Sequence, residues 1–490
     1  MPGTVASSLL LLSILVFESS AVQFDFKVAP PRVKTPSNSN NNLNNVFNVR
    51  YSTNITISGN VVTVLIDTGS TDLWVMPPQG LANFNDTGLS TTVHYGDGST
   101  FVEGEIGVGA FSLDGGVTVP YQVFKLSHSI PSHPAYLYGT SEADFDSDLQ
   151  QGLFGLLGLG FDVNGGSEID ITVRNKEGAE ATWGQSVLSN IFAQNPDSSD
   201  FIGIALSRSG DQEGTADGSL TIGEYDPDYE GVQNSPKLLQ TPAGSGVWGI
   251  AIDSFKVGGN QITWPSTLAA APAGKNIVLL DTGTPNLLMP QAQINAIYST
   301  IPGAVLTQDP NIPLGYFSES HNVWVVPCTA QINVVTTFAT IRFIPSTSQT
   351  YKPSPPPDGT HKFTYCSNAI TDIGLIGQGQ TDALFGDSFL RNVYTAFDFG
   401  TGGPTKGTPF VQMLSTTDAT KSAVDFLAVR TAVMKHAPPE LNPIDLIRVF
   451  NGSLKAADAI PVSNGAPRMT FAPGIAVVLG GCLLSFGTLF

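Results

Sequence analysis

Two short segments, far apart in the sequence, carry side chains that can do chemistry together. They are Asp67-Thr68-Gly69-Ser70 and Asp281-Thr282-Gly283-Thr284. Two carboxylates held side by side cannot both ionise cheaply, so they share one proton. The ionised carboxylate can take a proton from water while the protonated one donates to a carbonyl oxygen. This predicts acid–base hydrolysis of an amide without a covalent intermediate. Which Asp is the base stays open, because the protons titrate as a property of the pair.

Buried strands must position these carboxylates. Apolar residues flank both segments: 64–66, Leu73–Val75, 278–280 and Leu287–Met289. An apolar strand that turns at a glycine presents the Asp at its tip. One Asp-Thr-Gly alone is equally an ordinary strand-end turn, because Asp and Gly favour turns. Two copies with matching flanks predict a paired site instead.

These motifs resemble those of the pepsin-like aspartic endopeptidases, in particular the fungal secreted and surface-anchored kind, over residues 46–415. The resemblance implies an all-β, bilobal pepsin-like acid protease fold. Its two lobes are related by a pseudo-twofold axis, and each lobe gives one Asp-Thr-Gly to a central cleft. Two apolar, glycine-containing runs, at 154–160 and 383–387, repeat this correspondence between the lobes.

The resemblance also implies a role for each residue of the two motifs. Asp67 and Asp281 would activate water, Thr68 and Thr282 would brace the two loops, and Ser70 and Thr284 would hydrogen-bond the outer carboxylate oxygens. The predicted supporting residues are Thr68, Gly69, Ser70, Thr282, Gly283 and Thr284. One departure is Pro285, which lies where the family usually has Ser or Thr and has neither a hydroxyl nor an N–H. We expect it to alter substrate contacts rather than abolish the chemistry.

Residues 93–99, Val-His-Tyr-Gly-Asp-Gly-Ser, resemble the flap of the family, a hairpin that closes over substrate. A mobile lid needs small residues at its tip, and Gly96 is one of them. Tyr95 is expected to hydrogen-bond the indole of Trp74 when the flap closes. Asp97 can favour basic substrate side chains, although an exposed Asp is usually only a turn residue. An ordinary surface hairpin is the alternative interpretation of this segment.

Composition excludes several other classes of protein. The net charge is −19 with 22 Lys and Arg, and no basic patch is visible, which argues against nucleic acid as a partner. The chain has no zinc-site signature, no Gly-x-Ser-x-Gly nucleophile elbow and no phosphate-binding loop. We therefore expect no metal and no cofactor. The excess of acidic residues also suits a protein that acts at acid pH, where protonation of carboxylates reduces the repulsion between its own charges.

The ends of the chain indicate secretion and anchoring. The predicted organisation is a signal peptide (1–21), a low-complexity, short pro-like segment (22–45), an N-terminal lobe (46–235), a C-terminal lobe (236–420), a stalk (421–464) and a GPI-anchor signal removed on maturation (465–490). Asn464 is the predicted attachment residue. The apolar stretch 471–490 is alternatively a transmembrane helix, although Pro473 and several glycines interrupt it.

The predicted secretion bears on the interpretation of the cysteines and of three glycosylation motifs. Cys328 and Cys366 can form a disulfide, which the resemblance also implies, and two free buried thiols are the alternative; Cys482 lies in the segment expected to be removed. The sequence motif for N-glycosylation occurs at Asn54, Asn85 and Asn451. Asn54 is the least secure of the three, because it lies in a predicted strand.

The function predicted from these observations is hydrolysis of peptide bonds in proteins at acid pH. The enzyme would be a monomer, tethered outside the cell, that takes extended peptides. The alternative is a catalytically weak homologue that acts as a cell-surface peptide-binding or structural wall protein. Pro285 and the short pro-like segment keep that alternative open, and the intact pair of Asp-Thr-Gly motifs argues against it.

Overall fold

The computed structural model of the protein describes residues 22–28, 51–96, 100–113, 117–129, 152–163, 166–194, 196, 199–206, 217–309, 312, 322–332, 334–338, 341–343, 350–354, 363–374, 376, 379–405, 407–435 and 437–462. The predicted signal peptide, Asp97, Asn464 and the predicted anchor signal lie outside these residues.

A large sheet contains most of the first half of the chain. Its strands from that half are β1 (Val22–Val28), β2 (Tyr51–Ile57), β3 (Asn60–Asp67), β4 (Leu73–Val75), β5 (Asn85–Tyr95), β6 (Thr100–Leu113), β7 (Thr118–Ser129), β8 (Gly155–Gly158), β9 (Phe201–Ala205) and β10 (Asp217–Ile222). Strands β2 and β3 pair as a hairpin. Ser58 and Gly59 form its turn with φ of 49° and 83°, the left-handed conformation that a tight hairpin needs.

Strand β1 corrects an expectation. The segment 22–45 was expected to be low-complexity, but Val22–Val28 pairs along its length with β10 and at its end with β2. The reason is visible in the sequence, Val-Gln-Phe-Asp-Phe-Lys-Val, because apolar and polar residues alternate with the period of a strand. A stretch of this segment is therefore part of the sheet.

The second half of the chain contributes to the same sheet and builds three smaller ones. The remaining strands are β11 (Leu238–Leu239), β12 (Gly249–Ile252), β13 (Ser254–Val257), β14 (Asn260–Ile262), β15 (Asn276–Leu280), β16 (Leu287–Met289), β17 (Val305–Thr307), β18 (Val323–Val326), β19 (Val334–Phe338), β20 (Ile341–Phe343), β21 (Thr350–Ser354), β22 (Phe363–Ser367), β23 (Ile370–Asp372), β24 (Ala383–Phe385), β25 (Val393–Asp398) and β26 (Phe410–Ser415). Their order is β11-β26-β25-β9 in the large sheet, then β12-β15-β24-β16-β23, β14-β13-β19-β20 and β17-β18-β22-β21.

The two halves share one core as well as one sheet. β25 pairs with β9, so a strand from late in the chain extends the sheet of the first lobe. Beside this junction the ring of Phe161 lies 4.4 Å from that of Trp248 and 4.9 Å from that of Phe399. All three side chains are buried. This packing fixes the lobes against each other and with them the two Asp-Thr-Gly turns.

Among the described residues helices are few, and they lie around the sheets. They are α1 (Glu168–Glu177), α2 (Val187–Gln194), α3 (Gln291–Tyr298), α4 (Asp387–Leu390), α5 (Ala419–Met434) and α6 (Pro443–Phe450), with short 3₁₀ turns at Pro227–Asn234, Gly403–Thr405 and Ala456–Asp458. Helix α2 begins at Val187. The Ser186 hydroxyl accepts a hydrogen bond from the Ser189 N–H at 3.3 Å, so Ser186 acts as the N-cap.

The segment predicted as a stalk contains more packed structure than expected. Helix α5 spans Ala419–Met434 at its start. Helix α6 was not predicted; its residues Leu446, Val449 and Phe450 are buried in a cluster with Phe363 and Tyr365 of β22. An apolar face at helical spacing thus docks on the second lobe. Among the described residues, no helix is long and apolar enough to cross a membrane.

Candidate active site

Matching strand arrangements hold the two carboxylates. β3 runs parallel to β8, with Asp67 opposite Gly158, and β15 runs parallel to β24 up to Leu280 and Phe385. Each apolar strand is buried, and the chain turns directly after it. The Asp67 and Asp281 side chains therefore lie inside the protein, with only 5% and 8% of their surface exposed.

Four hydrogen bonds connect the two turns. The Thr68 hydroxyl donates to the Leu280 carbonyl at 3.1 Å and accepts from the Thr282 N–H at 3.0 Å. The Thr282 hydroxyl does the same in reverse, donating to the Ile66 carbonyl at 3.1 Å and accepting from the Thr68 N–H at 3.0 Å. The predicted bracing of the loops is confirmed, and its geometry is twofold symmetric.

Each carboxylate also accepts hydrogen bonds from its own turn. Asp67 accepts from the Gly69 N–H at 2.8 Å and from the Ser70 hydroxyl at 2.5 Å. Asp281 accepts from the Gly283 N–H at 2.8 Å and from the Thr284 hydroxyl at 2.6 Å. The predicted hydroxyl contacts are confirmed. They fix both carboxylate planes before any substrate arrives.

The glycines of the two motifs allow each turn to approach the opposite carboxylate. A Cβ added to Gly69 would lie 2.6 Å from Cγ of Asp281, and one added to Gly283 would lie 2.6 Å from Cγ of Asp67. Real Cβ contacts are not this short, so only glycine fits at either position. The two carboxyl groups consequently face each other across a narrow space.

The electrostatics agree with a shared proton. Burial raises the pKa of Asp67 well above its ordinary value, and the charge of Asp281 together with a hydrogen bond between the two side chains raises it further. The hydrogen bonds from Ser70 and Gly69 oppose this rise. A protonated and an ionised carboxyl can therefore coexist here, as acid–base hydrolysis requires. Among the described residues no group of His, Cys, Asp and Glu is placed to hold a metal ion.

The hairpin β5–β6 brings Tyr95 over this region of the first lobe. The Trp74 indole N–H donates to the Tyr95 hydroxyl at 2.7 Å, which confirms the predicted bond. Trp74 lies on β4, the strand that leaves the Asp67 turn, so the hydrogen bond connects the hairpin to the strand that follows this turn. Gly96 follows Tyr95 with φ of 61°, a conformation that suits glycine at a hairpin tip.

Residues 50–403 match the family described as Eukaryotic aspartyl protease. The chain belongs to this family. Among its relatives, Penicillopepsin-3 of Penicillium janthinellum is 26% identical over 384 residues, which is 74% of this chain and 78% of that protein. Pepsin A of Bos taurus is 25% identical over 359 residues, covering 69% of this chain and 78% of that protein.

Solved structures support the same fold. The aspartic proteinase from Irpex lacteus superposes with a TM-score of 0.52 at 17% identity, covering 77% of this chain and 97% of that one. Together with the sequence match, this identifies the chain as an aspartic-type endopeptidase with the pepsin-like fold. Peptides and proteins are accordingly its class of substrate.

Several other predicted sites can now be located. Cys328 and Cys366 form the predicted disulfide, with Cα atoms 5.1 Å apart. Cys328 lies just after β18, and Cys366 lies within β22. Asn54, Asn85 and Asn451 are all exposed. Glycosylation at these three positions stays a prediction.

Sequence reasoning missed two buried charged residues next to the first catalytic turn. Asp72 lies five residues after Asp67 and is 4% exposed, and Lys125 on β7 is fully buried. Asp72 belongs to a polar stretch that resembles any turn, and Lys125 is the polar member of an alternating strand. Neither signal predicts burial, because the partners come from elements distant in sequence.

Proposed function

We propose that Asp67 and Asp281 are the catalytic pair of this protease. The observation that carries the proposal is the close approach of the two turns. Each motif glycine lies against the carboxylate of the opposite turn, and a Cβ added to either glycine would overlap that carboxylate. A water molecule held between the carboxyls loses a proton to the ionised one and attacks the peptide carbonyl. The protonated carboxyl donates to the carbonyl oxygen, and the leaving nitrogen is protonated next. Cleavage is fastest in acid, where the pair holds one proton.

The hairpin with Tyr95, Gly96 and Asp97 acts as the lid over the substrate. Its hydrogen bond to Trp74 supports a closed position in which the reacting carbonyl is shielded from bulk water. An extended peptide lies between the lid and the two Asp residues and is bound mainly through its backbone. Pro285, which cannot donate a hydrogen bond, changes the contacts on the side of the second lobe.

The enzyme acts outside the cell as a monomer, in the manner of the fungal secreted type, attached through a GPI anchor at Asn464. The disulfide between Cys328 and Cys366 supports an oxidising compartment. The exposed sequence motifs at Asn54, Asn85 and Asn451 agree with passage through the secretory pathway. The apolar end of the chain, 471–490, supports the anchor signal.

Purified secreted protein comprising residues 22–464 tests the catalytic proposal. We expect peptide cleavage at acid pH that a statine-type inhibitor blocks and that Asp67→Asn abolishes. Asp458→Asn, an exposed change after α6, serves as a control for charge loss outside the pair and should leave cleavage intact. A folded wild type that binds the inhibitor without cleaving any peptide would contradict the proposal and favour a peptide-binding homologue.

A further inference from the structure

Lys125 is an unusual residue for the interior of a strand. It lies on β7 opposite Trp74 of β4, and none of its surface is exposed. Lysine is almost never fully buried unless its charge has partners. Its ammonium group donates a hydrogen bond to the carbonyl oxygen of Val102 on β6.

Three acidic residues act electrostatically on the buried ammonium group. Burial lowers the pKa of Lys125 to about 8, and the negative charges of Asp72, Glu103 and Glu168 oppose this fall. Lys125 is therefore a cation at the acid and neutral pH values at which a protease of this kind is handled. Within this group Asp72 is the most buried carboxylate, with 4% of its surface exposed.

Asp72 is itself held in place by the start of helix α1. Its carboxylate accepts hydrogen bonds from the Ser167 hydroxyl at 2.6 Å, the Glu168 N–H at 2.9 Å and the Ile169 N–H at 3.4 Å. A carboxylate suits this position because the N-terminal end of a helix carries a partial positive charge. Asp72 is thus a fixed counter-charge between the catalytic turn and the helix.

The carbonyl that Lys125 binds belongs to the hairpin of Tyr95. Val102 lies opposite Val93 in the β5–β6 pairing, and Tyr95 lies opposite Thr100. Val102 is buried in a cluster with Trp74 and Leu156, and Tyr95 packs against this cluster. The Lys125 hydrogen bond therefore reaches the hairpin at the base of the part that covers the substrate.

We propose that Lys125 is a positioning residue that fixes the β5–β6 hairpin to the strand leaving the first catalytic turn, with Asp72 as its counter-charge. The proposal deepens the proposed function, since it rests on the role of this hairpin as the lid. Lys125 touches neither substrate nor the Asp pair, and it acts only through Val102 and the strands on either side. Glu103 and Glu168 add negative charge from β6 and α1.

The counter-charge depends on pH. Burial raises the pKa of Asp72 to about 6, against the three hydrogen bonds that lower it, and the charge of Asp162 raises it further. Above pH 6 Asp72 is ionised and holds Lys125 in place; below pH 6 it is neutral, and this counter-charge is lost. The hairpin is therefore held more firmly near neutral pH than in acid.

Hydrogen exchange measured by mass spectrometry tests this without requiring turnover. After correction for the intrinsic exchange rate, Lys125→Met should speed exchange across residues 85–113 at least about tenfold at both pH 4 and pH 7, because it removes a hydrogen bond from a charged donor. Asp72→Asn should speed exchange in this segment at pH 7 only. At pH 4 it should match the wild type. Lys256→Met, on β13 of the other lobe and partly exposed, is the matched control and should change nothing in this segment.

Cleavage kinetics distinguish positioning from general damage to the fold. With active sites titrated by a tight inhibitor at pH 4, Lys125→Met should raise KM about tenfold and leave kcat per active site little changed, as for lost binding. A structural role alone would lower the number of active sites and leave KM unaltered. Exchange at 85–113 that is unchanged in both variants, or equally raised in Lys256→Met, would overturn the proposal. If the wild type cleaves no peptide, the proposed function fails, and exchange still decides this inference.

Discussion

The two catalytic turns are nearly identical at their carboxylates and differ a few residues later. Each Asp accepts hydrogen bonds from one glycine N–H and one hydroxyl, and the distances agree within 0.1 Å: 2.8 and 2.5 Å in one lobe, 2.8 and 2.6 Å in the other. Further along, the first lobe has Asp72, whose carboxylate accepts three hydrogen bonds. The second lobe has Asn286, whose side-chain nitrogen donates to no partner among the described residues.

The shared geometry of the two turns reflects what the proposed chemistry requires, and the difference beyond them reflects the other features of each lobe. A proton shared between two carboxyls needs equivalent surroundings, so the turns are symmetric. The first lobe also carries the β5–β6 hairpin, and Lys125 donates a hydrogen bond to the carbonyl of Val102 in it. The second lobe is instead stabilised by the Cys328–Cys366 disulfide and by the docking of helix α6. The Glu440 carboxylate also accepts a hydrogen bond from the Cys328 N–H at 2.8 Å.

The largest effect is expected from the symmetric part. Asp67→Asn and Asp281→Asn should each lower kcat/KM by about 10³-fold or more, because either change removes the acid–base pair. The double variant should be no worse than either single variant, since the two residues act as a unit. Steady-state cleavage at acid pH measures this. A clear residual activity in only one single variant would break the symmetry of the pair.

The glycines of the motifs test the same symmetry sterically. Gly69→Ala and Gly283→Ala should both abolish cleavage and destabilise the fold by about 1–3 kcal/mol, because the new Cβ overlaps the opposite carboxyl. Gly231→Ala is the control, since its Cβ would meet only a Leu414 methyl at 3.7 Å. Urea unfolding and peptide cleavage measure both effects. Normal activity in either motif variant would show that the turns lie further apart.

The sequence predicts the symmetric part of the molecule well and the asymmetric part poorly. Asp67, Asp281 and their hydroxyl neighbours belong to a short sequence motif that occurs twice, so their contacts can be predicted from the repeat. The bond between Trp74 and Tyr95 follows from resemblance. Lys125, by contrast, meets Val102 and Asp72 only after several strands have paired, and no local pattern encodes that meeting.

Helix α6 was missed for a different reason. The segment around it is rich in Pro and polar residues, and its eight residues, Pro443–Phe450, are few for a periodic pattern. Its stability comes from tertiary packing rather than from propensity. The start of helix α2 at Val187 is also hard to predict from sequence, because the capping role of Ser186 depends on the conformation of the preceding chain.

Docking of α6 on the second lobe gives the next prediction. Leu446→Ala should lower the free energy of unfolding by about 2–5 kcal/mol, because Leu446 is buried against Phe363 and Tyr365. Ile444→Ala on the same helix is the matched control; Ile444 is 52% exposed, so its change should cost little. Chemical denaturation of the secreted protein measures both. Equal effects would mean that α6 is not held by this face.

Asp72 should make stability depend on pH in a way that Asn286 cannot. Burial raises its pKa from 3.8 to about 6 in the folded protein. The folded state therefore keeps a proton that the unfolded chain releases in this range, so the stabilisation is full below about pH 3.8 and is lost as the pH rises to about 6. The difference is about 3 kcal/mol at most.

Asp72→Asn tests this by giving the first lobe the residue type of the second. In denaturation curves, which report global unfolding, the variant should be more stable than the wild type at pH 7 and similar to it at pH 4, although its β5–β6 hairpin opens locally more easily at pH 7. Asp86→Asn, an exposed change, should leave the pH dependence as it is. A variant that is uniformly less stable at both values would show that the Asp72 carboxylate, rather than its neutral form, holds the start of α1.

The smallest effect concerns Thr71 and Pro285, which follow the two motifs at equivalent positions. The Thr71 hydroxyl donates to the buried Phe161 carbonyl at 2.9 Å, whereas Pro285 has no hydroxyl to donate. Thr71→Val should cost about 1 kcal/mol, since it leaves that carbonyl without this donor at constant side-chain size. Thr71→Ser keeps the hydroxyl and should retain most of the stability in the same denaturation assay. Because Phe161 packs on Trp248 of the second lobe, an unchanged Thr71→Val would show that this aromatic junction alone aligns the two turns.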